Sequence, residues 1–449
     1  MRKICLALPT NRPCSDTITA LHEEAEYAAS NFEVEVHLVV LDSSDDRSRA
    51  EHRRAVDELS QTSNVLVHLL DEEEQRAFLD QTIRASGLAG APHLLDLMLP
   101  AGVSYGACTN RIFLIAAALG CESVHRRDSD SRYQATAQGR PVYPVHHEVS
   151  SIGRRAADIA DAVTESILEP EFAERTVTLV GASFVGELSV DIGEIESLNQ
   201  DVYREVVSLW APMSWSDEQK YELVSESFRG AGLVTGPFAA DRATLCLVDP
   251  MRIDMCNIAF HRDAFERAPL LPALDTIGSD YFLMHAIYDS GLPGVLHNRD
   301  IVNFYTPERR TDAGFAAYQL RFAKFFLSML YLNFIYERMG EAGSSLLDGS
   351  GRLDSMAIAA LARQSALLDR SENHWRLDVI DRGYRKLGGR YADFADALQE
   401  RGAELLDRAQ ADIEDFALLT EAWQPLVRAS GESAGSLPLP RKSERSFTS

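Results

Sequence analysis

Asp128 and Asp130 stand one residue apart in the stretch Cys121-Glu-Ser-Val-His-Arg-Arg-Asp-Ser-Asp-Ser131. A chain that leaves a strand into a loop can turn both carboxylates toward one point, where a hard divalent cation such as Mn2+ or Mg2+ accepts oxygen ligands. The triplet is short enough to arise by chance in an acidic chain, so its meaning depends on its neighbours. Upstream lie polar groups suited to a nucleotide: Pro9-Thr10-Asn11-Arg12, the run Asp42-Ser43-Ser44-Asp45-Asp46, and Asn110-Arg111. An arginine fork matches phosphate oxygens, which gives Arg111 a specific use. Asp and Ser after a strand also cap helices, and that reading stands beside the binding one at each of these positions.

The elements that must position these residues alternate in type. Ile4 to Leu8, Val34 to Leu41 and Val65 to Leu70 are apolar, strand-like runs. Helical patterns over Asp16 to Ser30, Asp45 to Ser60, Asp71 to Ser86 and Tyr105 to Leu119 separate them, the last closed by Gly120. Strand and helix in turn predict an α/β fold with a mostly parallel, doubly wound sheet and ligands at the carboxyl ends of its strands. The chain has no Gly-x-Gly-x-x-Gly after its first strand and no Gly-x-x-x-x-Gly-Lys-Ser/Thr. Dinucleotide oxidoreductases and P-loop NTPases thereby lose their main signatures.

Composition narrows the classes further. The 449 residues include 68 acidic against 44 basic side chains, a formal charge of -24. That balance argues against binding to nucleic-acid backbones or anionic lipid surfaces. Six scattered cysteines without a Cys-x-x-Cys argue against zinc and fit reduced thiols in a cytoplasmic protein. The opening Met-Arg-Lys-Ile-Cys-Leu-Ala-Leu-Pro reads as a strand, its apolar run being too short for a signal peptide. Phe325 to Tyr336 is also too short to cross a bilayer, so no membrane span is expected.

In this order the motifs resemble the GT-A family of nucleotide-sugar glycosyltransferases. The resemblance rests on Pro9-Thr10-Asn11-Arg12, Asp42, Gly106-Ala107-Cys108-Thr109-Asn110-Arg111 and the strand-end Asp128-Ser129-Asp130. It implies a GT-A-like, Rossmann-like sheet flanked by helices. Asp42 would then contact the nucleoside, Asn110 and Arg111 the base or diphosphate, and Asp128 and Asp130 a divalent metal on the diphosphate. Met255-Cys-Asn-Ile-Ala-Phe-His-Arg262 looks like the segment that returns across the sheet beneath the sugar. The family places an acidic residue at the head of the next helix, and Asp280 fits it, with a helix cap as the alternative. A late histidine often supplies a third metal ligand; His297 is the candidate, with a polar strand end as the alternative. Tyr305, Arg309 and Arg310 are candidates to close over the diphosphate. In one place the chain departs from the family: Ser123-Val124-His125-Arg126-Arg127 replaces an apolar strand. It either adds positive charge at the donor site or marks a diverged one.

The middle of the chain would supply acceptor specificity. Pro141 to Val149 reads as extended, Ser151 to Leu168 as helical, and Thr176 to Gly193 as broken β structure. His146 and His147 would then face opposite sides of a strand, too divergent to share a metal. After Gly314 the pattern is helical: Tyr318 to Met339, Asp354 to Asp369, His374 to Leu387, and Tyr391 to Trp423, stopping before Pro425. The expected organisation is a catalytic domain over 1–310, with halves at 1–130 and 131–310. A helical appendage over 311–429 follows, able to mediate a homo-oligomer, and then a disordered tail over 430–449. The activity expected is metal-dependent transfer of a sugar from a nucleotide diphosphate-sugar to a soluble small-molecule or glycan acceptor. Stereochemistry is open. The rivals are a nucleotidyltransferase, which would normally carry a glycine-rich loop after its first strand, and a non-catalytic nucleotide-sugar-binding protein on the same scaffold. A glycosidase also pairs two carboxylates but requires no nucleotide.

Overall fold

A computed structural model describes residues 1–60, 62–187, 192–228, 230–232, 236–304, 311–438 and 440. The first part alternates as the apolar runs dictate: β1 (Arg2–Thr10), α1 (Ser15–Asn31), β2 (Val34–Asp42), α2 (Asp46–Glu58), β3 (Val65–Asp71) and α3 (Glu72–Ser86). Local chemistry sets the ends. Asp45 caps α2 through Ser48 N, and Asp71 forms a reciprocal capping box with Glu74 at the start of α3. Helices α4 (Ala91–Met98) and α5 (Tyr105–Leu119) follow, then β4 (Ser123–Arg127). Ser104 caps α5, and Gly120 ends it in the left-handed conformation at φ 74.

Beyond β4 come β5 (Ser131–Tyr133), α6 (Val145–Ser151), α7 (Ala156–Ile159), β6 (Glu165–Ser166), β7 (Leu179–Gly181) and β8 (Phe184–Gly186). Next are α8 (Gly193–Leu198), α9 (Gln200–Val207), α10 (Asp217–Glu226), β9 (Ala243–Cys246), β10 (Asn257–His261) and α11 (Arg262–Phe265). The segment closes with α12 (Phe282–Asp289), β11 (Gly294–His297) and β12 (Ile301–Asn303). These strands make a nine-stranded sheet in the order β3-β2-β1-β4-β10-β7-β11-β9-β6 and a small sheet β5-β12-β8. The large sheet is parallel from β3 to β4, and β10 then returns antiparallel to both β4 and β7. Register aligns Thr10 with Asp42 and Ala7 with Arg126, so the chain leaving β4 emerges beside the chain leaving β1.

The basic end of β4 is buried and paired. Arg127 bonds Glu24 at 2.8 Å and Glu148 at 2.9 Å, and His125 bonds Glu148 at 2.8 Å, with all four side chains fully enclosed. A buried charge of this kind is tolerated only when its hydrogen bonds are met. Arg127 therefore ties β4 to α1 and α6 and does not reach a ligand.

The C-terminal helices α13 (Asp312–Ala342), α14 (Ser355–Ser365), α15 (Ser371–Leu387) and α16 (Arg390–Glu432) pack together, and α16 joins them to α3 and α5. Phe113, Phe282, Phe325 and Trp423 belong to one continuous apolar core, and Trp423 Nε1 donates to Phe265 O at 2.9 Å. Four sequence expectations change. Residues 145–151 form α6, with Pro144 at its start, so His146 and His147 are consecutive helical residues. Of Ser151 to Leu168 only the four residues of α7 are an α-helix beyond the last residue of α6. Helix α16 runs through Pro425 to Glu432, and a 3-10 turn covers Ala434–Ser436, so this part of the expected disordered tail is ordered. Tyr305, Arg309 and Arg310 lie outside the described residues.

Candidate functional site

Two cavities meet at Tyr105, Asp128 and Asp130. The first, about 250 Å³, lies at the carboxyl ends of β1 and β4 and at the N-terminus of α5. Pro9, Thr10, Asn11 and Arg12 line it, together with Ser104, Arg111, Arg126, Asp128 and Asp130. The second, about 170 Å³, extends from the same two aspartates toward α12 and α13 and includes Asp254, Asp280 and a set of aromatic rings.

The β1 loop meets the acidic triplet directly, since Arg12 Nη1 donates to Asp130 Oδ2 at 3.3 Å. Arg126 sits behind the triplet, 2% exposed, with Nη2 3.1 Å from Asp128 and Nη1 donating to Asp280 at 3.0 Å. Its Nε has no partner among the described residues. Burial pushes the Asp280 carboxyl up to about 6; Arg126 opposes that rise, while Asp128 and Asp254 add to it. Asp280 lies just ahead of Tyr281, the N-cap of α12, and its carboxylate bonds Arg126 while α12 has no side-chain cap. The helix-cap alternative for Asp280 therefore falls.

Arg111 enters the first cavity from α5, its Nη1 held by Met98 O at 2.5 Å. Its Nε has no partner among the described residues, and burial lowers its pKa. The α5 N-terminus reaches this position because Gly106 is a glycine: a Cβ there would lie 1.9 Å from Leu271 O. Gly106 N donates to Ser279 Oγ at 3.3 Å, which links α5 to the segment that carries Asp280.

Three expected ligands are used elsewhere. Asp42 is 1% exposed, and its carboxylate accepts Ser44 N and Oγ and bonds His52 Nδ1 at 2.8 Å. His52 Nε2 accepts from Cys14 N at 3.0 Å, so Asp42 holds α2 against the start of α1 and does not line the first cavity. Asn110 is fully buried and clamps Leu270 through both backbone groups, at 2.8 and 2.7 Å. His297 stacks on His147 with centroids 5.3 Å apart, its Nδ1 accepting from Arg299 N, and it lines neither cavity. Burial lowers its pKa to about 3. Arg309 falls outside the described residues.

Among the described residues no group of three or more His, Cys, Asp or Glu is arranged to hold a metal. Asp128 and Asp130 offer hard oxygen donors at the junction of the cavities, which suits a cation held by one or two carboxylates and otherwise by ligand phosphates. Sequence reasoning raised Arg126 only as positive charge at the donor site or the mark of a diverged one, and missed its contacts to Asp128 and Asp280. It also missed Asp254, which accepts from Tyr281 OH at 2.7 Å.

Among solved structures the chain is similar to the mannosyltransferase PcManGT from Pyrobaculum calidifontis in complex with GDP-Man and Mn2+. Identity is 15% over 93% of this chain and 86% of that one, with a TM-score of 0.36. It is also similar to a mycobacterial protein of known crystal structure, at 13% identity over 75% and 74% of the two chains and a TM-score of 0.34. Comparison with curated proteins finds no match. A family model matches residues 2–437, and the chain belongs to that family, a family of unknown function (DUF6271).

Proposed function

We propose that this protein is a metal-dependent glycosyltransferase that moves a sugar from a nucleotide diphosphate-sugar to an acceptor. One observation carries the reading: a cavity rich in arginine and a cavity rich in aromatic rings open onto the same two aspartates. The first suits the donor. Its diphosphate would face Arg12, Arg111 and the positive end of the dipole of α5, a capped helix of 15 residues. Asp128 and Asp130 would hold Mn2+ or Mg2+ against the diphosphate. When bound, such a cation acts as a Lewis acid that stabilises charge on the leaving nucleoside diphosphate.

The chain's own residues supply the remaining work. Arg126 keeps Asp128 and Asp280 in fixed positions on either side of the junction and lends the donor cavity positive charge. Asp280, on the acceptor side and tuned to about 6, stands near the working range of a general base at neutral pH. In an inverting transfer it takes the proton from the acceptor nucleophile as the glycosidic bond forms; in a retaining transfer it orients the acceptor. The test is calorimetric titration with UDP-, GDP- and dTDP-sugars, with and without Mn2+, followed by assay for released nucleoside diphosphate. Mn2+-dependent binding of one of them with release of its diphosphate is expected. Tight binding of a nucleoside triphosphate with pyrophosphate release would overturn the reading in favour of nucleotidyl transfer.

A further inference from the structure

The two cavities differ sharply in charge. Arg12, Arg111 and Arg126 line the first, whereas among the described residues no lysine or arginine lines the second. The second instead holds Glu226, Asp254 and Asp280 beyond the two aspartates of the junction. Its walls are aromatic and apolar. Trp210 packs on Phe228 at 5.0 Å and edge-on against Phe325 at 5.3 Å, and His285 stacks on Tyr336 at 3.9 Å. Gly278, at φ +70, leaves the space beside Phe325 open, since a Cβ there would lie 2.9 Å from the ring.

We infer that the acceptor is a small, largely apolar molecule carrying an amine, recognised by the aromatic walls and by Glu226 and Asp254. This rests on the transferase reading of the same site. A cation gains from both features, because ring faces and carboxylates each attract positive charge, most strongly where water is excluded. A phosphorylated or carboxylated acceptor would meet Glu226 and Asp254, with no lysine or arginine among the described residues lining the cavity to offset them. A polyol would leave hydroxyls unpaired against Ile253, Met255, Met329 and Leu332.

Calorimetry with three indoles of similar shape and different charge, tryptamine, tryptophol and indole-3-propionate, tests this, with methyl glucoside as the polyol probe. Tryptamine is expected to bind at least tenfold tighter than tryptophol, with indole-3-propionate weaker than both. Glu226→Gln, at an exposed position on the rim, should reduce that preference without affecting folding. Asp254→Asn, which keeps the shape of the group beside Tyr281, should reduce it further. Equal binding of tryptamine and tryptophol, preference for the acid or for methyl glucoside, or no binding of any indole would overturn the inference. Titration of GDP and UDP with Mn2+ into the same protein separates the two ideas. Diphosphate binding without an amine preference sinks only the acceptor class, while amine preference without diphosphate binding sinks the transferase reading.

Discussion

Arg126 donates from Nη1 to Asp280 Oδ2 over 3.0 Å, joining the end of β4 to the residue that precedes the α12 cap, with both side chains buried. The same guanidinium lies 3.1 Å from Asp128. A single residue thus couples the acidic triplet to the carboxylate on the acceptor side. Arg126→Ala should cost about 3–5 kcal/mol of stability, because it strands buried charge, and a lysine offers no fork for both partners. Urea unfolding of Arg126→Lys and Arg126→Ala checks the order, with alanine the less stable.

The acid–base role of Asp280 predicts a rate profile. Its carboxylate is the active form of a base, so kcat/KM should rise with pH through about 6 and level above it. Loss of the Arg126 charge would raise the Asp280 pKa, so the rising limb in Arg126→Lys should stay near that of the wild type and in Arg126→Ala move to higher pH. Asp280→Asn should lose the limb together with about 10²–10³ of the rate.

A second carboxyl predicts a stability effect away from the site. Burial pushes Asp289 up to about 7, and its Oδ2 has no partner among the described residues. Its folded pKa lies above the unfolded value of 3.8, so the folded state holds the proton more tightly. Stability from this group is present at low pH and is lost as pH rises from about 4 through about 7. The side chain is partly exposed, which limits the effect to about 1–2 kcal/mol. Asp289→Asn should therefore melt higher than the wild type at pH 8 and no higher at pH 4.

Asn110 separates a scaffold role from a binding role. Asn110→Ala leaves the N–H and C=O of Leu270 buried without their clamp, at a cost of about 2–4 kcal/mol. Nucleotide affinity of the folded variant should be unchanged. A large loss of affinity at wild-type stability would return Asn110 to the donor site.

Much of this was legible in the chain. The apolar runs of β1 to β3, the capped helices between them and the emergence of Asp128-Ser129-Asp130 from a strand follow from period and caps alone. The errors lie where a side chain has a choice of directions. Helix α5 is apolar around most of its surface, so no stripe tells that Asn110 faces Leu270 while Arg111 faces the cavity. Asp42 finds partners at Ser44 and His52, within ten residues, which a view of strand ends as ligand sites overlooks. Arg126 and Arg127 find theirs far along the chain, at Asp280, Glu24 and Glu148. Their burial is invisible until the fold brings those carboxylates to β4. Pro144 could have flagged the turn into α6, since proline is favoured at helix starts.

The most direct measurement is Mn2+-dependent binding of nucleoside diphosphate-sugars to wild type and to Asp130→Ala, read by calorimetry. Asp130 contributes one of the two carboxylates at the junction and accepts from Arg12, 25% exposed at its side chain, so the folded protein should tolerate its removal. The wild type should bind one of the UDP-, GDP- or dTDP-sugars only with the metal, and Asp130→Ala should bind it at least a hundredfold more weakly. Unchanged binding and turnover in Asp130→Ala would contradict the assignment of this pair as the metal corner of a donor site.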